Sequence, residues 1–176
     1  MIRLATTADA AAIMRIYAPY CSDSVISFES EPPTVAEMAR RIDSTLELLP
    51  WLVWDADGIG GYAYAGQHRD RAAYRWSVDV AVYIAATHHR RGIGRQLYKS
   101  LFDWLVRLGY YNAFAGVTLP NVASVGLHES LGFVKVAEYP QVGYKFGRWH
   151  NTGWWHKQLQ PLSANPSEPV KLAGAE

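Results

Sequence analysis

From Val78 to Leu97 an alternating run passes without a break into a basic turn, and the turn opens straight into an amphipathic helix. Over Arg75–Ile84, Trp76, Val78, Val80 and Val82 fall on one face. Ser77, Asp79, Ala81 and Tyr83 fall on the other, which is the period-two signature of a strand. A helix is predicted from Gly92 to Leu108, stopped by Gly109. The junction has the makings of an anion site. The first N–H groups of a helix lack internal partners, and the macrodipole leaves partial positive charge there. Gly92 and Gly94 have no β-carbon to hold a diphosphate off the backbone, and Arg90, Arg91 and Arg95 add charge. Two better-known phosphate motifs do not fit. The P-loop spacing is absent, and the dinucleotide fingerprint fails because Leu97 stands at its third glycine. Taken alone, a surface helix with a basic start would read the same way.

The rest of the chain supplies the frame. A strand is predicted over Ile2–Ala5, then a helix capped by Thr7 that carries Ile13, Ile16, Tyr17 and Tyr20. Ser22–Pro33 reads as a loop. Thr34 and Glu37 form a capping box, and Val35, Met38, Ile42 and Leu46 give the next helix its stripe. Trp51–Trp54 and Ile59–Gly66 make a hairpin around Asp57-Gly58. Asn112–Thr118 is a strand, Asn121–Leu131 a helix, and Phe133–Glu138 and Trp154–Leu159 are the last strands. This order predicts an α/β (α+β) domain, a mixed sheet with helices on both faces. A single domain over residues 1–162 is expected, with a flexible tail over 163–176 where Pro, Ser, Ala and Gly accumulate.

Composition narrows the function classes. The 176 residues carry a net charge of +1, so no broad basic field invites nucleic acid. Cys21 is the sole cysteine, which leaves no disulfide framework and no thiolate-rich zinc site; no metal is expected. No apolar run approaches the roughly 20 residues that span a bilayer and no signal peptide is visible, so no membrane partner and a cytoplasmic location are expected.

His89-Arg-Arg-Gly-Ile-Gly94 resembles the pyrophosphate loop of the GNAT acetyltransferases, with His89 where Gln or Arg is usual. Asn121-Val-Ala-Ser124, His128 and Gly132-Phe133 resemble that family's next segment. Tyr62-Ala-Tyr-Ala-Gly66, Leu119-Pro-Asn121, Ser124–Phe133 and Gly143–His150 are similar to its phosphinothricin and methionine sulfoximine acetyltransferase branch. The likeness runs from Ile2 to about Leu162. It implies a GNAT fold, with about seven mostly antiparallel strands splayed in the middle. It implies acetyl-CoA as co-substrate, a small-molecule amine as acceptor and a homodimer.

The resemblance also assigns residues. His89, Arg90, Arg91, Gly92, Ile93, Gly94 and Arg95 would hold the diphosphate. Val82, Tyr83 and Ile84 would pair with the pantetheine arm, residue 82 polarising the acetyl carbonyl, with Asn121 and Ser124 alongside. Asp79 stands where the branch carries its Glu base; it would take the amine's proton, directly or through water, or else orient the ammonium. His128, where many members have Tyr, would be the acid or proton relay. Arg69 or Arg71 would meet a substrate carboxylate, with Arg75 a further candidate, and Phe28 would line the pocket. Lys145, Arg148 and Trp149 would close the site or build the dimer. Two alternatives stay open: acetylation of a protein N-terminus, lysine or polyamine, and a non-catalytic CoA-binding module.

Overall fold

The structure, a computed structural model, describes residues 1–174. Seven strands form one sheet: β1 (Ile2–Leu4), β2 (Trp51–Asp55), β3 (Ile59–Gln67), β4 (Ser77–Ile84), β5 (Asn112–Leu119), β6 (Val134–Lys145) and β7 (Arg148–Gln158). Their order is β1-β2-β3-β4-β5-β7-β6. Every neighbouring pair is antiparallel except β4 with β5. Helices α1 (Ala10–Ser22) and α2 (Val35–Leu46) cover one face, and α3 (Ile93–Arg107) and α4 (Val122–Ser130) the other.

Alternation along the central strands builds the two cores. Leu52, Ala63, Ala65, Val78 and Val80 pack with Leu97, Leu101 and Leu105 of α3. Trp51, Val53 and Tyr62 pack with Ile13, Ile16, Met38 and Ile42 of α1 and α2. Burial of this apolar surface, at roughly 25 cal/mol per Å², holds the layers together. Among the described residues no helix is long and apolar enough to cross a membrane.

Four expectations are corrected. The cap at the start of the first helix is not Thr7. A turn of 3₁₀ helix, Thr7–Asp9, precedes α1, and Asp9 Oδ2 accepts from Thr6 N at 2.8 Å. At α2, Thr34 Oγ1 accepts from Glu37 N at 3.1 Å, but the Glu37 carboxylate turns to Arg40 and Arg41, so only half of the capping box forms. The last two strands are much longer than predicted and meet in a hairpin at Phe146-Gly147. β6 is an edge strand with most of its side chains exposed, so its hydrophobicity shows no period-two pattern. The tail, expected to hang free, makes contacts with the domain between Ser167 and Leu172. Trp76 Nε1 donates to Ser167 O at 2.8 Å, Glu168 pairs with Arg75, Val170 N donates to Leu108 O at 2.8 Å, and Leu172 is buried. Polar composition hid an attachment made largely through backbone groups.

Candidate active site

The parallel seam is where the sheet opens. β4 pairs with β5 only through Ser77–Asp79 against Asn112–Phe114. Beyond that rung each strand keeps its outer neighbour, β3 or β7, and the inner edges separate. A cavity of about 60 Å³ lies in the fork, bordered by Val80–Tyr83, Ala115–Thr118, Tyr98, Asn121, Ser124 and His128. Inner-edge backbone groups without a ladder partner call for a ligand that can hydrogen-bond along an extended arm.

The glycine-spaced turn stands at the strand's end. Arg90 and Gly92 both have left-handed backbone, φ 61° and 74°. The first bond inside α3 is Gln96 N to Gly92 O at 3.1 Å, which leaves the amides of Ile93, Gly94 and Arg95 without intrahelical partners. The two glycines do different work. A β-carbon at Gly92 would meet nothing closer than Gln96 Nε2 at 3.9 Å, whereas one at Gly94 would lie 3.3 Å from Leu127 Cδ2 and 3.8 Å from Val82 Cγ2. Gly92 is therefore bare toward the outside, and Gly94 lets α3 close on α4 and β4. Arg90, Arg91 and Arg95 are exposed, and none pairs with a carboxylate among the described residues.

His89 is exposed but folds back onto the end of β4. Its Nε2 lies 2.9 Å from Ile84 O and 3.2 Å from Tyr20 Oη, and Tyr20 also donates to Ile84 O at 2.6 Å. The ring braces the turn against the end of β4, and the Ile84 carbonyl is already occupied. The ring of Tyr83 is packed among Tyr17, Tyr20 and Tyr62, with centroids 5.0, 5.1 and 5.4 Å away.

Asp79 occupies the last paired rung before the fork. Its Oδ1 lies 2.6 Å from His68 Nδ1. Burial raises its carboxyl above the ordinary range, while the His68 hydrogen bond and the nearby charges of His68 and Arg69 pull it back down. Arg69 donates to His68 O at 2.7 Å and lies 5.9 Å above the Trp154 ring, beside the fork. Arg71 is exposed at the start of a short 3₁₀ turn. Arg75 points elsewhere, pairing with Glu168 and lying over Trp76.

His128 borders the fork but is fully engaged. Nδ1 is 2.7 Å from Ser124 O and Nε2 is 2.9 Å from Tyr98 Oη. Burial lowers its pKa, so it is neutral, with its proton on Nδ1 and Nε2 accepting from Tyr98. Asn121 caps α4, its Oδ1 accepting from Ser124 N at 3.1 Å. Phe28 seats its ring on the bare backbone of Gly143, where a β-carbon would come within 2.2 Å of it. Lys145 is buried; its Nζ donates to the carbonyls of Cys21, Ser27 and Glu29 at 2.6–2.8 Å, clasping the α1–α2 loop to the β6–β7 hairpin. Arg148 and Trp149 are exposed on that hairpin.

Sequence reasoning missed His68 and Tyr98. His68 sits in a polar loop with no periodic pattern, eleven residues from its partner. Tyr98 reads as one more apolar position of α3. Only the pairing of Gly66 with Asp79 across β3 and β4 brings the loop's first residues over the carboxylate.

Residues 2–154 match the acetyltransferase (GNAT) domain family. Phosphinothricin N-acetyltransferase of Streptomyces viridochromogenes is 37% identical over 171 residues, covering 96% of this chain and 93% of the relative. The L-methionine sulfoximine/L-methionine sulfone acetyltransferase of Salmonella typhimurium is 36% identical, covering 93% and 96%. The crystal structure of a phosphinothricin acetyltransferase of Sinorhizobium meliloti, solved in complex with acetyl-CoA, superposes with a TM-score of 0.91 at 33% identity, covering 97% of this chain and 94% of that one.

Proposed function

The chain belongs to the GNAT acetyltransferases, and from that premise we propose that it moves the acetyl group of acetyl-CoA onto the amine of a small, anionic amino acid of the phosphinothricin or methionine sulfoximine and sulfone type. The observation that carries this reading is the placement of Asp79 at the rung where β4 leaves β5. That puts a carboxylate-bearing residue one position before Val80, where the lining of the fork cavity begins.

The roles divide as the reaction requires. The free amides of α3 and the cations Arg90, Arg91 and Arg95 take the diphosphate. The inner edge of β4 from Val82 pairs with the pantetheine arm, and the N–H of Val82 polarises the acetyl carbonyl. Asn121, through its Nδ2, and Ser124 border that arm. The amine must be neutral to attack, and the negative charge of Asp79 draws its proton away. The amine nitrogen then bonds to the carbonyl carbon, the C–S bond breaks, and the thiolate leaves and is protonated. Arg69, above Trp154, and Arg71 supply cations for the substrate carboxylate, and Phe28 closes the far wall. In this reading the amine attacks acetyl-CoA directly, in a ternary complex.

A homodimer completes the reading. Val134, Val136, Val142, Tyr144, Phe146 and Trp149 expose apolar surface along the β6–β7 edge, the kind of edge that pairs or is covered.

The test is CoA release from acetyl-CoA with a panel of amines: phosphinothricin, methionine sulfoximine, methionine sulfone, free amino acids, a peptide, a lysine side chain and a polyamine. The expected result is turnover on the compact anionic amino acids. Turnover confined to the peptide or polyamine, or none at all, would reject the proposal.

A further inference from the structure

We propose that His68 is the catalytic base of this reaction, its Nε2 taking the proton from the substrate ammonium while Asp79 holds its Nδ1–H. The inference rests on the acetyl-transfer reading above and names the atom at which the proton first arrives.

Four observations lead to it. First, the 2.6 Å contact commits Nδ1 of His68 to the Asp79 carboxylate. A carboxylate only accepts, so the proton of the neutral ring is on Nδ1 and the lone pair is on Nε2. Second, Nε2 has no hydrogen-bond partner among the described residues. It is not sealed either, since the buried side-chain nitrogens lacking a partner are the indoles of Trp51 and Trp154. The side chain keeps a small exposure, 13%, so Nε2 is not closed off from solvent. Third, the ring is held on three sides. It stacks on Phe114 at 4.5 Å and 19°, and meets Trp154 and Tyr74 edge-on at 6.2 and 6.0 Å. A base fixed in this way loses little freedom when substrate arrives. Fourth, Phe114 is the residue paired with Asp79 at the last rung, so the imidazole stands over the point where the fork begins.

A neutral imidazole with a free lone pair can take the proton of an ammonium as a general base. The arrangement follows the logic of a histidine base oriented by an acidic partner, in which the acid stabilises the imidazolium without taking the proton.

The proton balance is simple. The ammonium gives one proton to Nε2, leaving a neutral amine and an imidazolium paired with the Asp79 carboxylate. The amine forms the C–N bond, the C–S bond breaks, and the nitrogen's second proton goes with the departing thiolate to give CoA thiol. His68 returns its proton to solvent. The titratable and charged groups that face the pair are Arg69 in its own loop, Tyr64 on β3, Tyr74 in the turn before β4, and His156 on β7, whose ring packs on Phe114 at 4.8 Å.

The experiment compares His68→Gln, Asp79→Asn and the double variant, using the best amine from the panel. At pH 7 each single change should lower kcat about 100-fold or more, and the double change should cost no more than the worse single one, since the two groups act as a unit. Acetyl-CoA affinity should be unchanged. The deficit of His68→Gln should shrink as pH approaches the amine's own pKa, where the substrate arrives already neutral. His68→Ala with added imidazole should recover activity in a saturable way, a readout that a packing role would not give. Wild-type kcat in His68→Gln, or a deficit independent of pH with no rescue by imidazole, would overturn the proposal and leave Asp79 as the base. A wild-type protein that binds acetyl-CoA and acetylates no amine would instead overturn the acetyl-transfer reading itself.

Discussion

Alanine placed in turn at Gly92 and at Gly94 should separate the two kinds of work done by one motif. Gly92 has φ 74° and ψ 4°. An L residue in that region costs about 1–2 kcal/mol, while its β-carbon would find nothing nearer than 3.9 Å. Gly92→Ala should therefore fold, with a melting temperature roughly 2–8 °C lower. At Gly94 the backbone is helical, and the added carbon presses on Leu127 at 3.3 Å. That crowding is offset by the helix propensity of Ala, about 1 kcal/mol over Gly. If the turn grips a diphosphate, disturbing it loses at least one hydrogen bond to a charged group, about 1.5–3 kcal/mol. Gly92→Ala should then weaken acetyl-CoA binding about 10–100-fold, and Gly94→Ala by no more than about threefold. Calorimetric titration with acetyl-CoA, paired with thermal melts, measures both. A Gly92→Ala protein that melts lower yet binds acetyl-CoA like the wild type would refute the cradle, because the strain would have been felt and the ligand would not.

Three further outcomes are expected. His128→Ala and Tyr98→Phe should each lower kcat less than about 10-fold, since both nitrogens of His128 are engaged in the fold; a loss above about 100-fold in steady-state assays would make His128 the acid for the leaving thiolate. Arg3 makes paired 2.8 Å contacts to Asp9 and also meets Asp55, holding the Asp9 carboxyl below its ordinary range. A depressed carboxyl stabilises the fold above its unfolded pKa and loses that contribution as pH falls through the folded one, so acid melts of wild type and Asp9→Asn should differ at neutral pH and converge below about pH 4. Sedimentation should give a dimer for the wild type and a monomer for Trp149→Asp, where a side chain 60% exposed in the single chain would be covered by the partner; a monomeric wild type would end the dimer reading.

What could be read beforehand followed physical periodicity. The central strands alternate because one core lies on each side, and α2 and α3 carry apolar stripes because each rests on a sheet face; both were legible from Val78–Val82 and from Val35–Leu46. The turn at Gly92 was legible because a helix N-terminus, glycines and arginines converge there. The β6–β7 hairpin was not, because its exposed side chains follow no period and its glycines serve contacts from elsewhere, as Gly143 does for Phe28. The direction of side chains was illegible as well. His89 and His128 each sit where a motif places a ligand group, yet the first braces Ile84 and the second is locked between Ser124 and Tyr98. The partner of Asp79 escaped for the same reason, since a hydrogen bond between a loop and a strand leaves no pattern in sequence.

The fork itself makes one last demand. β4 is paired with β3 from Val78 to Ile84 and β5 with β7 along its whole length, so the two strands are rigid enough to stay apart after Asp79 and Phe114. Their inner edges, Val80–Ile84 and Ala115–Leu119, then face each other without a ladder. Water can satisfy such groups, and an extended ligand arm can replace it. If the pantetheine lies there, CoA should slow amide exchange at Val82 and its neighbours, whereas 3′-phosphoadenosine 5′-diphosphate, which has the diphosphate but no arm, should protect only the turn from Arg90 to Arg95. CoA at about one hundred times its Kd should also add about 2.7 kcal/mol of stability. Equal exchange profiles with the two ligands would mean that the arm passes outside the fork, and the role given to β4 would fall even if the phosphate site stood.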